Sequence, residues 1–149
     1  MAAYTVRPIS EADILPSQLL VEAGGVGIAA DEWRIFVRRI IEWRGATGLH
    51  DEVHVAVDRG GVIKGLMFSQ AIQSLLFGRT LDAPVFLTAS AIDEDGVIVA
   101  LVEKLSERAR ASGCRQTRIW APGGEAWRRV AERIEGAVTF AGLCVNIAV

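Results

Sequence analysis

A chain of 149 residues, 51% of them hydrophobic, is long enough to close one core, and a single domain that folds without staples is expected. Sixteen basic against eighteen acidic residues leave a net charge of −2, which removes any charge-driven attraction to nucleic acid or an anionic membrane. Two cysteines, Cys114 and Cys144, do not make a disulfide framework, and no Cys/His spacing suits a metal, so reduced thiols in a cytoplasm and no bound metal are expected. The first residues lack the basic-then-apolar pattern of a signal peptide, and the apolar runs are interrupted too soon to span a bilayer.

The chain opens with Tyr4-Thr5-Val6-Arg7-Pro8-Ile9, a β-prone run whose proline suits an edge strand. Ser10 reads as a helix N-cap, with Glu11 and Asp13 placing negative charge in the first turn. Ile14, Leu15, Leu19 and Leu20 are the expected apolar face of a helix that fades by Glu22. The glycine-rich Ala23–Gly27 follows a helix rather than a strand, so it reads as a connector and not as a nucleotide loop. Asp31 to Arg44 is the clearest amphipathic helix, with Trp33, Phe36, Val37, Ile40 and Ile41 on one face. That aromatic stripe is either core or the wall of a substrate pocket.

Val53–Val57 alternates as a strand, Asp58-Arg59-Gly60-Gly61 turns a hairpin, and Val62–Phe68 returns antiparallel, continuing towards Leu76. Phe77–Asp82 is expected to turn the chain into a central buried strand, Val85–Ile92. A very short acidic turn, Asp93-Glu94-Asp95-Gly96, then leads into an amphipathic helix from about Gly96 to Ser112, stopped by Gly113. Thr117–Trp120 should return as a strand parallel to Val85–Ile92. Glu125 to Ile134 is a further helix, and Ala137 to Val149 reads as terminal β structure broken near Gly142. The predicted class is α/β (α+β): a mixed, mostly antiparallel sheet flanked by helices on both faces, without repeats or linkers.

This order, together with three local segments, resembles the GNAT superfamily of acyl-CoA N-acyltransferases. Val6-Arg7-Pro8-Ile9-Ser10-Glu11-Ala12-Asp13 is similar to that family's opening, and Gly61-Val62-Ile63-Lys64-Gly65 to its sheet segment with a glycine just after an apolar pair. Leu101, Leu105, Ala109 and Gly113 sit as in its central helix. The resemblance implies acetyl-CoA or another acyl-CoA as the acyl donor and a small-molecule or peptide amine as the acceptor. It also implies a cofactor cradle at Ser90, Ile92, Gly96, Val97 and Ile98, between the central strand and helix.

The departure falls at that cradle. Family members commonly carry an Arg or Gln and two spaced small residues there, whose N–H groups wrap the pyrophosphate, whereas this chain has three carboxylates and a turn shorter by about one helical turn. Like charges about 5 Å apart repel by roughly 3 kcal/mol at an effective dielectric near 20. The plainer role for Asp93 or Asp95 is to cap the helix and complement its dipole. A calcium loop does not fit, because the position that requires its late glutamate is Lys104.

For the chemistry, Glu125, His54, His50 and Asp82 are the available bases, with Glu125 and His54 preferred. Tyr4 is the only tyrosine and lies on the first strand, which leaves Cys144 or water to protonate a leaving thiolate. Arg115, Arg128 or Arg129 could restore the missing positive charge. Two functions remain open: an N-acyltransferase with a rebuilt phosphate grip, or a silent protein on the same scaffold that acts by binding or by pairing as a homodimer.

Overall fold

The computed structural model describes residues 3–46, 51–89, 92–121, 123–140 and 144–148. Its elements run β1 (Thr5–Pro8), α1 (Ile14–Ala23), α2 (Ala30–Trp43), β2 (Glu52–Val57), β3 (Ile63–Ser74) and β4 (Gly78–Thr88). They continue with α3 (Glu94–Ala111), β5 (Gln116–Trp120), α4 (Glu125–Arg133), β6 (Ala137–Phe140) and β7 (Cys144–Ala148). The strands form one seven-stranded sheet in the order β1-β2-β3-β4-β5-β7-β6. Every pairing is antiparallel except β4 with β5. That exception follows from α3, the helical crossover that a parallel pair requires.

Two cores lie on the two faces of the sheet. On one, Trp33, Val37 and Ile40 of α2 and Val21 of α1 pack against Val53, Val55, Leu66 and Leu87. On the other, Val97, Ile98, Leu101 and Leu105 of α3 and Trp127 and Val130 of α4 pack against Met67, Leu81, Phe86 and Ile119. The mixed sheet flanked on both faces is the predicted class.

The start of α1 departs from its predicted face. Residues 11–13 form a single 3-10 turn, and Ile14, Ser17, Leu20 and Val21 are buried while Leu15 and Leu19 are exposed. Asp13 sets this phase. It accepts from Arg7 Nη1 and Nη2 at 2.6 and 2.9 Å and from the N–H and Oγ of Ser10 at 2.8 and 2.7 Å. The Arg7 guanidinium foremost, aided by Ser10, holds the Asp13 carboxyl down at about 2. Ser17 is then turned inward, where its Oγ accepts from the buried Trp33 indole N–H at 2.9 Å.

The sequence reading placed a turn at Phe77–Asp82, but β4 already begins at Gly78 and forms a long hairpin with β3 whose tip is Leu75-Leu76-Phe77. Gly78, with φ 72°, supplies the conformation the tight reversal needs. β4 ends at Thr88 rather than Ile92, and α3 starts at Glu94, two residues before the predicted Gly96. β5 pairs with Thr80–Ala83, one half-strand earlier than predicted, because the long hairpin carries β4 down to meet it.

Gly65 brings α3 close to the sheet. A Cβ there would lie 2.6 Å from Val97 Cγ1 and 3.0 Å from the Leu87 carbonyl oxygen, so the bare backbone of β3 is the surface on which the first turns of α3 rest. Gly65→Ala should therefore lift the N-terminal end of α3 and destabilise the protein by about 1–3 kcal/mol, as overpacked sites do. Urea unfolding of the variant against the natural chain measures this, and an unchanged midpoint would contradict the close packing.

Candidate functional site

The site is built where β4 leaves β5. Asp82 lies opposite Gln70 and Val85 opposite Phe68, so Ala83 and Pro84 together oppose the single β3 residue Ser69. This is a β-bulge. It reverses which face the strand presents: Leu81 and Ala83 enter the α3 core before it, and Phe86 after it. The parallel ladder with β5 ends at Ala83–Ile119, and Pro84, which has no N–H, follows immediately. From Val85 to Thr88 the strand pairs with β3 alone, so β4 and β5 enclose a fork open towards the N-terminus of α3.

On the α1–α2 face, a cavity of about 350 Å³ adjoins the bulge. Pro84, Val85 and Phe68 line its sheet side, and Ile28, Trp33, Phe36 and Glu32 its helical side. Phe36 meets Phe68 edge to face at 4.9 Å and Trp33 at 5.9 Å between ring centroids. The aromatic stripe of α2 is thus both core and pocket wall: Trp33 is 1% exposed while Phe36 is half-buried. On the α3–α4 face, Phe86 just beyond the bulge packs against Trp127 at 4.8 Å. The Trp127 indole Nε1 is buried and has no hydrogen-bond partner among the described residues.

The acidic turn at the mouth of the fork is fully engaged. Asp93 caps α3 by accepting from the Gly96 N–H at 3.1 Å, and its other oxygen accepts from Tyr4 Oη at 2.9 Å. Glu94 accepts from Thr88 Oγ1 at 2.7 Å. Asp95 accepts from Arg129 Nε and Nη2 at 3.0 and 2.8 Å and from Arg133 Nη2 at 3.4 Å, and Arg129 chiefly holds its carboxyl below the ordinary range. The carboxylates therefore tie the start of α3 to the segment before β1, to β4 and to α4.

Neither a family model nor a curated protein sequence matches the chain. Solved structures do. A GCN5-related N-acetyltransferase from Kribbella flavida superposes over 99% of this chain and 98% of its own, with TM-score 0.62 and 19% identity. The NatC complex bound to Gag peptide and CoA matches over 98% of both chains, with TM-score 0.70 and 12% identity. AAC(6')-Iy with a bisubstrate CoA analogue matches over 87% of both chains, with TM-score 0.69 and 14% identity. The fold is that of the GNAT superfamily. At these identities the likeness describes architecture alone.

Within the GNAT-like frame the expected site residues separate. His54 lies in β2 between Pro8 and Met67 and is 3% exposed. Burial first, then the positive charges of Arg108, Lys104 and Arg44, push its imidazole down to about 3. It is a neutral core histidine with no exposed face for an acceptor. Glu125 opens α4 on the surface and pairs with Arg128 and, at 4.0 Å, with Arg129. Cys144 begins β7 opposite Trp120, the last residue of β5, and so sits at the fork end of that strand. Asp82 is buried and accepts from Arg118 Nε at 2.7 Å and Trp120 Nε1 at 3.1 Å, so it is already committed.

Of the expected cradle, Ile92 is 99% exposed just before the cap, whereas the side chains of Val97 and Ile98 are wholly core. The Gly96 N–H is taken by Asp93, which removes it from an open anion site. Ser90 and His50 lie outside the described residues. Arg115 belongs to the other end of β5, where its N–H donates to the Arg79 carbonyl at 2.9 Å, because the crossover delivers it beside the hairpin rather than the fork. Sequence reading missed the Tyr4–Asp93 bond, the role of Arg133, and Glu32 and Phe68 in the cavity. Only Arg133 had a signal, its four-residue spacing from Arg129.

His54 yields a sign-defined pH effect. In the unfolded chain it protonates near 6.5 and in the folded chain only near 3, so its contribution is complete above pH 6.5 and is lost as pH falls towards 3. His54→Gln should flatten the decline in stability between about pH 6.5 and 4.5, by up to about 1 kcal/mol per pH unit. Urea unfolding across that range tests it, and identical slopes in the two proteins would show that His54 titrates freely when folded.

Proposed function

We propose that the chain is an acyl-CoA-dependent N-acyltransferase. The observation that carries this reading is the fork between β4 and β5, with the cavity on one face and the anchored start of α3 at its mouth. An acyl thioester supplies a carbonyl carbon open to attack by nitrogen, with the C–S bond breaking as the N–C bond forms. The free backbone edge from Val85 to Thr88 suits the amides of an extended pantetheine arm, as a strand edge suits any extended chain. The Trp127 Nε1, buried beside Phe86 and without a partner among the described residues, is a donor that such an arm would satisfy by displacing part of that packing. Arg129 and Arg133 could exchange part of their bonding to Asp95 for a diphosphate, supplying the positive charge that the acidic turn lacks.

For proton traffic, an amine leaves a proton with Glu125 or water, and Cys144, at the fork end of β7, returns one to the leaving thiolate. A second reading has one specific observation in its favour. The Gly96 N–H and the carboxylates of Asp93, Glu94 and Asp95 are all engaged with the protein itself, as expected of a GNAT scaffold without coenzyme A. In that case the exposed Leu75 and Leu76 at the hairpin tip would be the surface for binding or self-association as a homodimer.

Calorimetric titration of acetyl-CoA decides between them. Saturable binding is expected, weakened about tenfold by Arg129→Ala, as for loss of a charge-assisted bond, and measurably by Trp127→Phe, which removes only the indole donor. Absence of binding at millimolar ligand would overturn the acyltransferase, and gel filtration of Leu75→Ser/Leu76→Ser would then test self-association.

A further inference from the structure

We infer that the cavity beside the β4 bulge receives an amine carried on a flat apolar or aromatic body, its ammonium held by Glu32. This assignment of the acceptor class rests on the acyltransferase reading. The walls are ring faces and hydrocarbon: Trp33, Phe36, Phe68, Pro84 and Val85. Such a lining rejects a polyhydroxylated or polycationic acceptor, because each buried polar group would lose water without gaining a partner. At about 350 Å³ the space matches a small ring with a short side chain rather than an extended peptide.

Glu32 is the one ionisable residue among those lining the cavity. It is exposed, at the first turn of α2, and its Oε2 accepts from the Ala29 N–H at 3.2 Å, which fixes the carboxylate while its second oxygen makes no bond among the described residues. A neutral acyl chain has no use for a carboxylate at the rim. An alkylammonium does, and aromatic faces beside it add cation–π attraction. The side of the cavity opposite α2 is Pro84-Val85, where β4 leaves β5. The strand edge proposed above for the thioester arm therefore lies across the cavity from Glu32, towards the body of the amine that Glu32 holds.

The test uses the natural chain and no acyl-CoA. 2-Phenylethylamine, its neutral isostere 2-phenylethanol, and spermidine are titrated calorimetrically into the protein and into Glu32→Gln, in which the amide oxygen can still accept from Ala29. The amine should bind saturably and about fivefold more tightly than the alcohol, the size of an exposed ion pair. Glu32→Gln should erase that preference, Phe36→Ala should weaken both aromatic ligands, and spermidine should bind more weakly than either. Equal binding of amine and alcohol to the natural chain, tighter binding of spermidine, or no saturation by any aromatic ligand would each overturn the inference. Its failure is separable from that of the transfer reaction. Amine selectivity without acetyl-CoA binding refutes only the reaction, whereas acetyl-CoA binding without amine selectivity refutes only the acceptor class.

Discussion

At Pro84 the central strand loses a backbone donor and gains an extra residue against β3, and these two events divide the molecule's function from its framework. Before the proline, β4 is an ordinary interior strand paired on both sides. Beyond it, one edge is free and the pleat is reversed, so Phe86 faces α4 where Val85 faces the cavity. The bulge leaves one residue of β4 unpaired and disrupts the ladder locally, and the two cores packed on either face hold the strand in place there.

The acidic turn depends on the same geometry. Three carboxylates in a row repel one another, and the structure resolves this by giving each a separate partner on a separate element: Tyr4 of the segment before β1, Thr88 of β4, and the Arg129–Arg133 pair of α4. The start of α3 is therefore pinned from several directions, while Gly65 lets its first turns sit directly on the sheet. Rigid placement of that helix end matters because it defines the mouth of the fork. At the same end, Arg129 and Arg133 of α4 set positive charge against Asp95.

The cavity and the fork make different chemical demands. The fork offers the backbone groups of Val85 to Thr88, suited to an extended chain of amides. The cavity offers rings and a single carboxylate. A bisubstrate reaction in which a polar arm and an apolar amine arrive from opposite sides of one strand would use both.

Much of this was legible in the chain itself. Apolar periodicity determined the amphipathic α2 and the buried stripe of α3, since burial on one face imposes a period whatever the partner, whereas β2, read as an alternating strand, is buried on both faces. That Asp93 or Asp95 caps α3 also followed from residue type and position, and the structure gives the cap to Asp93. What the sequence could not determine was anything requiring two distant segments to be in register. The extension of β4 back to Gly78, the phase of α1 set by Arg7 and Asp13, and the burial of His54 within reach of the charges of Arg108 and Lys104 all arise from packing between elements. The pairing of Arg129 with Asp95 spans 34 residues, and the cavity draws on α2, β3 and β4 together. Local pattern names which faces are apolar, but only the tertiary fold decides which faces meet, because that choice minimises exposed surface over the whole chain.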